Sequence, residues 1–212
     1  MRKWCDDLRR GDHVVHIYKS ADEQAKALLD LIGWMREDEK LVLHCDGPDR
    51  EGGDCFALNG QMFEAAAQDG HMEVLPSYRA VCPTGKFRAD ALPDLLIYDL
   101  GRTMDEGFSG AVLCIDYSWI AELPDDFASH VVQSSQITLA RLPSNLTLLC
   151  QYDRRRLTAE QADQLLRVHQ LALADGKLAR NFWVVATSTL GGRGRSIKAM
   201  PQPSAAATGQ EK

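Results

Sequence analysis

The sequence predicts an α/β domain with a mainly parallel central sheet. Short apolar runs alternate with segments of helical periodicity, the pattern of successive βαβ units. Capping signatures open two of the helical segments, at Ser20 and at Thr158. The composition, 45% apolar and 25% charged over 212 residues, is that of a globular chain with room for one sizeable core rather than two. A single domain is therefore expected over residues 8–188. A disordered tail is expected over 189–212, where glycine, proline, serine and alanine dominate.

Taken in order, the first strand spans residues 13–18. Ser20 caps the helix that follows and Glu23 reaches back, while Ala25, Leu28, Leu29, Ile32 and Met35 recur at helical spacing on one buried face. A second strand covers 40–45, and Gly47-Pro48 and Gly52-Gly53 mark the loop beyond it. Residues 56–68 read as a helix ended by Asp69-Gly70, and 71–75 as a short third strand. Pro83-Thr84-Gly85 signals a turn inside a longer loop over 76–86. The segment 88–106 is helical if Pro93 falls within its first turns. A buried strand at 111–115 presents Asp116 at its end, followed by a helix over 125–142 and a strand over 146–151. The next helix starts at Thr158, with Gln161 placed for a second capping box. A last pair of strands, 171–174 and 182–186, flanks the turn Asp175-Gly176.

Charge and motif absences narrow the function. The net charge of −6, from 24 basic and 30 acidic residues, gives no general attraction to nucleic acid or anionic lipid. The N-terminus lacks the apolar run of a signal peptide, and no stretch reaches the roughly 18 apolar residues of a membrane span. Six cysteines (Cys5, Cys45, Cys55, Cys82, Cys114, Cys150) form no CxxC pair, which fits a reducing cytoplasm; Cys114 and Cys150 read as small core residues. The turn leaving the first strand, Lys19-Ser20-Ala21-Asp22-Glu23-Gln24, carries acids where a phosphate-binding loop needs glycines. GxSxG and HExxH motifs are missing as well. The expectation is a protein that is not an enzyme and holds no cofactor.

Three polar groupings sit beside predicted strands. In the first, His16 and Tyr18 share one strand face and His13 points to the other; these side chains either contact a ligand or fix a strand end. In the second, Asp116 ends an apolar strand, where open α/β sheets place ligand groups. Trp119 after it either lines a pocket or covers the core. The third is Cys150-Gln151-Tyr152-Asp153-Arg154-Arg155-Arg156, a strand-end site or an Asp153–arginine pair steadying a loop, with arginines that could also meet an acidic partner. The residue types of His13, His44, Cys45 and Cys150 would suit a metal, although the sequence does not bring them together. Cys45 or Cys55, near a predicted loop, would suit a thiol sensor.

These residues also carry a family resemblance. The opening Gly11-Asp12-His13-Val14-Val15-His16-Ile17-Tyr18 with its capped acidic helix resembles the MEDS domain, the sensory domain of methanogen and methylotroph regulators. The likeness continues through His71-Met72-Glu73-Val74-Leu75-Pro76, Thr84-Gly85-Lys86-Phe87 and Asp116-Tyr117-Ser118-Trp119. It then runs through the Cys150–Arg156 stretch to His169 and Asn181, covering about residues 8–185. Tyr117 and Gln170 depart from the family's usual residues. The resemblance implies a three-layer fold similar to RecA/KaiC with the phosphate loop lost, and a role in sensing small hydrocarbon derivatives. His13, Tyr18, Asp116, Trp119, Cys150, Tyr152, Asp153 and His169 match family positions, and all but His169 are taken as candidate ligand-binding residues.

The function expected is a stand-alone, cytoplasmic, non-catalytic sensory domain. It would bind a small molecule and relay to a separate signalling or transcriptional protein, without direct contact to nucleic acid or membrane, and RecA-like domains often form homo-oligomers. The alternatives are a ligand-free interaction module for a histidine kinase or transcription factor, and a metal or thiol redox sensor.

Overall fold

The computed structural model describes residues 3–44, 61–75, 81 and 87–181. Seven strands form one sheet: β1 (His13–Tyr18), β2 (Glu39–His44), β3 (Met72–Leu75), β4 (Gly110–Asp116), β5 (Leu146–Asp153), β6 (Leu171–Ala174) and β7 (Lys177–Arg180). Their order across the sheet is β3-β2-β4-β5-β1-β6-β7. All neighbours run parallel except β6 and β7. The helices are α1 (Ala21–Ile32), α2 (Gln61–Gln68), α3 (Ala91–Asp105), α4 (Pro124–Ala140) and α5 (Ala159–Val168), with 3₁₀ turns at Trp4–Asp7 and Ser118–Glu122.

Parallel strands need covering on both faces, and two apolar clusters provide it. On one face Val15, Ile17, Leu113, Leu148 and Cys150 pack against α3, α4 and α5 through Leu96, Phe127, Ile137 and Leu165. On the other, Val14, Leu43, Val112 and Leu149 pack against α1 and the N-terminal turn through Leu28, Leu31, Trp4 and Leu8. The faces alternate residue by residue along each strand.

Local chemistry sets the helix ends. Thr158 accepts from the Gln161 N–H while the Gln161 side chain accepts from the Thr158 N–H, so the expected capping box of α5 is present. At α1 the arrangement differs: Ser20 accepts from the Glu23 N–H, but the Glu23 carboxylate takes the N–H of Lys19 rather than that of Ser20. Pro93 lies in the first turn of α3, where its missing N–H costs nothing, and Pro124 opens α4. Both helices are shorter than the sequence suggested; α4 stops at Ala140 because Arg141 leaves the helix at φ 62°, two residues before Pro143.

The last strand requires a correction. β6 turns through Asp175 and Gly176, at φ 50° and 69°, directly into β7, where Ala174 pairs with Lys177. Both central residues are left-handed, as a two-residue hairpin demands. The partner strand is therefore Lys177–Arg180, and residues 182–186, expected to be that strand, lie outside the described residues. The glycine-rich loop over 46–53, the start of the helix predicted from 56, most of 76–86 and the tail also lie outside them.

Candidate functional site

Strand alternation separates the predicted site residues into two clusters on opposite sheet faces. Along β5, Cys150 and Tyr152 face α4 and α5, whereas Gln151 faces α1 and strand alternation puts Asp153 on the same side. His13 goes with the first pair and Tyr18 and Asp116 with the second, so the candidates do not converge on one cavity.

On the α1 face, at the C-terminal strand ends, a buried polar network runs through the sheet. The Asp116 carboxylate accepts from the Ser118 N–H at 2.8 Å and the Ser118 hydroxyl at 2.5 Å. Its second oxygen takes the Tyr18 hydroxyl at 3.3 Å and the Gln24 amide at 3.4 Å. Gln24 also donates to Gln151 Oε1 at 3.2 Å, and Gln151 donates to His16 Nδ1 at 3.0 Å. The Ser118 hydroxyl oxygen in turn accepts the Asp153 N–H at 2.7 Å. Burial raises the Asp116 carboxyl above its ordinary pKa despite these donors. Burial also pushes the Tyr18 phenol up, with the Asp116 charge adding to it, and lowers His16 to about 4. Asp153 is also desolvated, but the Arg155 guanidinium, at 2.6 Å, outweighs burial and holds the carboxyl below its usual range.

The arginine run is used internally. Arg154 donates to the Leu157 carbonyl, Arg155 clasps Asp153, and Arg156 pairs with Glu122 at 3.2 Å. A cleft of about 470 Å³ opens between α1 and the β6–β7 hairpin, lined by Trp4, His16, Asp22, Lys26, Leu173 and Asp175. His16 is thus shared between the cleft and the buried network.

The α4–α5 face holds a second cluster. His13 Nδ1 meets Thr138 Oγ1 at 2.9 Å and His13 Nε2 meets Cys150 Sγ at 3.3 Å. The His169 ring lies 4.3 Å from that of His13, centroid to centroid, and its Nδ1 donates to the Leu165 carbonyl at 2.8 Å. His130 Nε2 meets the Tyr152 hydroxyl at 2.5 Å, with the Tyr117 ring stacked on Tyr152 and tilted against His130. Burial lowers His13 well below its ordinary pKa, His130 to about 3 and His169 to about 4, and raises the Cys150 thiol. Trp119 packs over Phe87 and Tyr117, covering the core.

Of the four residues whose types would suit a metal, His13 and Cys150 meet. His44 instead pairs with Asp99 of α3 at 2.6 Å, and Cys45 lies outside the described residues, as does Cys55. Sequence reasoning missed His130, Ser134 and Thr138. They recur every fourth residue along α4 and turn a polar stripe toward the buried cluster, a spacing that could have revealed them.

Fold and clusters together define an α/β domain whose polar groups gather along β1, β4 and β5, with Asp22 and Glu23 at the start of the helix that follows β1. The family described as MEthanogen/methylotroph, DcmR Sensory domain (MEDS) matches residues 12–170, and the chain belongs to this family of sensory domains. No curated protein matches the chain. Among the described residues no helix is long and apolar enough to cross a membrane.

Proposed function

We propose that this domain is a non-catalytic sensor that binds a small organic molecule in the cleft between α1 and the β6–β7 hairpin and relays occupancy to a signalling or transcriptional protein. The observation that carries this reading is His16: it lines the cleft and is the first member of the buried chain His16–Gln151–Gln24–Asp116–Ser118. The cleft has the volume of a small-molecule site. Its rim carries Asp22, Glu23, Asp30 and Asp175 against Lys26, with Lys3 paired to Asp30 and Lys19 to Asp175, and the remaining acidic excess favours an uncharged or cationic ligand over a phosphate. A ligand that takes the His16 hydrogen bond frees Gln151 and, through Gln24, loosens Asp116 and Tyr18 from Ser118, whose Oγ lies 3.1 Å from the Tyr18 hydroxyl.

Ser118 opens the 3₁₀ turn, which is tied to α5 through Gln161 on the Ala121 carbonyl at 2.9 Å and to the turn before α5 through the Arg156–Glu122 pair. Movement of that turn changes the outer surface a partner would read, provided the ligand prefers one arrangement. Tyr18, Asp116 and Asp153 act in this reading as the polar end of the relay. A RecA/KaiC-like origin with a lost phosphate loop is supported by the parallel sheet and by Asp22 and Glu23 at the start of α1.

Thermal unfolding of the full chain against a panel of small uncharged and cationic organic molecules, with nucleotides included, tests the proposal. A binder present at 100 times its Kd should stabilise by about 2.7 kcal/mol. The gain should disappear in His16→Ala. A flat response to the organic molecules, or stabilisation by ATP alone, would overturn it.

A further inference from the structure

We propose that His13, Cys150 and His169 form a buried three-coordinate site for monovalent copper. Among the described residues, their ligand atoms lie within 4.8 Å of one another. The three residues are 2%, 1% and 0% exposed, so the site is closed to bulk solvent. The site lies on the sheet face opposite the cleft and does not rest on the ligand reading above.

The hydrogen bonds around the trio point the correct atoms inward. His169 Nδ1 donates to the Leu165 carbonyl, which fixes the tautomer and leaves Nε2 with its lone pair free. That nitrogen is buried without a hydrogen-bond partner, a cost that a native core rarely leaves unanswered. His13 Nδ1 is likewise engaged by Thr138, which leaves Nε2 facing Cys150 Sγ. Each histidine therefore has the outer-shell support that metal-bound imidazoles have.

Charge selects the ion. A thiolate and two neutral imidazoles around Cu⁺ give a site of zero net charge, suited to burial among apolar groups. Zn²⁺ with the same ligands would leave one positive charge in the core and would seek a fourth ligand. No aspartate or glutamate joins the group among the described residues. On binding, the Cu–S bond forms as the Cys150 S–H bond breaks and its proton passes to solvent; no electron is transferred.

The test uses the full chain, reduced and metal-free under anaerobic conditions, titrated with Cu⁺ against the chelator bathocuproine disulfonate. The wild type should hold a single equivalent. X-ray absorption at the copper edge should report two nitrogens and one sulfur. Cys150→Ser and His169→Gln should each weaken binding at least about 100-fold. Cys114→Ser, on the opposite face, should not. Loss of the copper to the chelator by the wild type, all-sulfur coordination drawn from the other cysteines, wild-type affinity in both variants, or retention of Zn²⁺ with refusal of Cu⁺ would each overturn the assignment. If the variants fail to fold, the ligand count in the wild-type spectrum decides alone.

Discussion

At position 116 the chain buries a carboxyl group and at position 16 an imidazole, linked through two glutamines, and the two respond to pH with opposite sign. The folded pKa of His16 is about 4, below its ordinary 6.5. The unfolded chain therefore binds more protons between these values, and stability is lost as pH falls through that window. The full effect is on the order of 3 kcal/mol. For Asp116 the folded pKa is raised, so its contribution is present below the ordinary carboxylate range and is lost as pH rises through the folded value. Urea unfolding from pH 4 to 8 should show His16→Gln losing less stability than wild type on acidification. Asp116→Asn should gain on wild type as pH rises from 4. A pH profile unchanged by either substitution would contradict the burial described for these groups.

At the scale of elements, the strands were legible because each is a short apolar run ended by a turn or a polar residue, and β1 spans the residues its pattern indicated. The hairpin was half legible. Asp175-Gly176 announced the turn, but Lys177-Leu178-Ala179-Arg180 is a short, mostly exposed strand with charges at both ends, and the stronger apolar run Phe182-Trp183-Val184-Val185 drew the assignment away. The candidate residues were legible by type, whereas their grouping was not. Whether Cys150 joins His13 or Asp116 depends on which way β5 faces, and the contact between His13 and His169 links distant parts of the chain. The capping box of α5 was fully readable, and it carries a prediction of its own. Thr158→Ala should cost about 1 kcal/mol in chemical denaturation with the denaturant slope unchanged, because one hydroxyl satisfies the Gln161 N–H.

For the whole molecule, β4, β5 and β1 form the centre of the sheet, each hydrogen-bonded on both sides and covered on both faces. Hydrogen exchange should therefore be slowest for the amides of these three strands. It should be faster in β3 and β7, which end the described sheet, and fastest at the Asp175-Gly176 turn. Equal protection of β7 and β5 would contradict this ordering. The charge balance belongs to the same scale: in an acidic chain, Arg155 and Arg156 are each ion-paired with a neighbouring carboxylate, Asp153 and Glu122, and Arg154 donates to the Leu157 carbonyl.

The division of Cys150, Gln151, Tyr152 and Asp153 between two chambers makes β5 a matter of odd and even positions. A single-residue insertion just before Cys150 would exchange the occupants, sending a thiol and a phenol toward α1 and an amide and a carboxylate into the histidine chamber. A double insertion would restore the assignment while displacing every group by one pleat. Length changes in this segment should therefore be tolerated only in pairs, whereas the neighbouring turn at Arg154–Arg156, free of that parity, can vary by one.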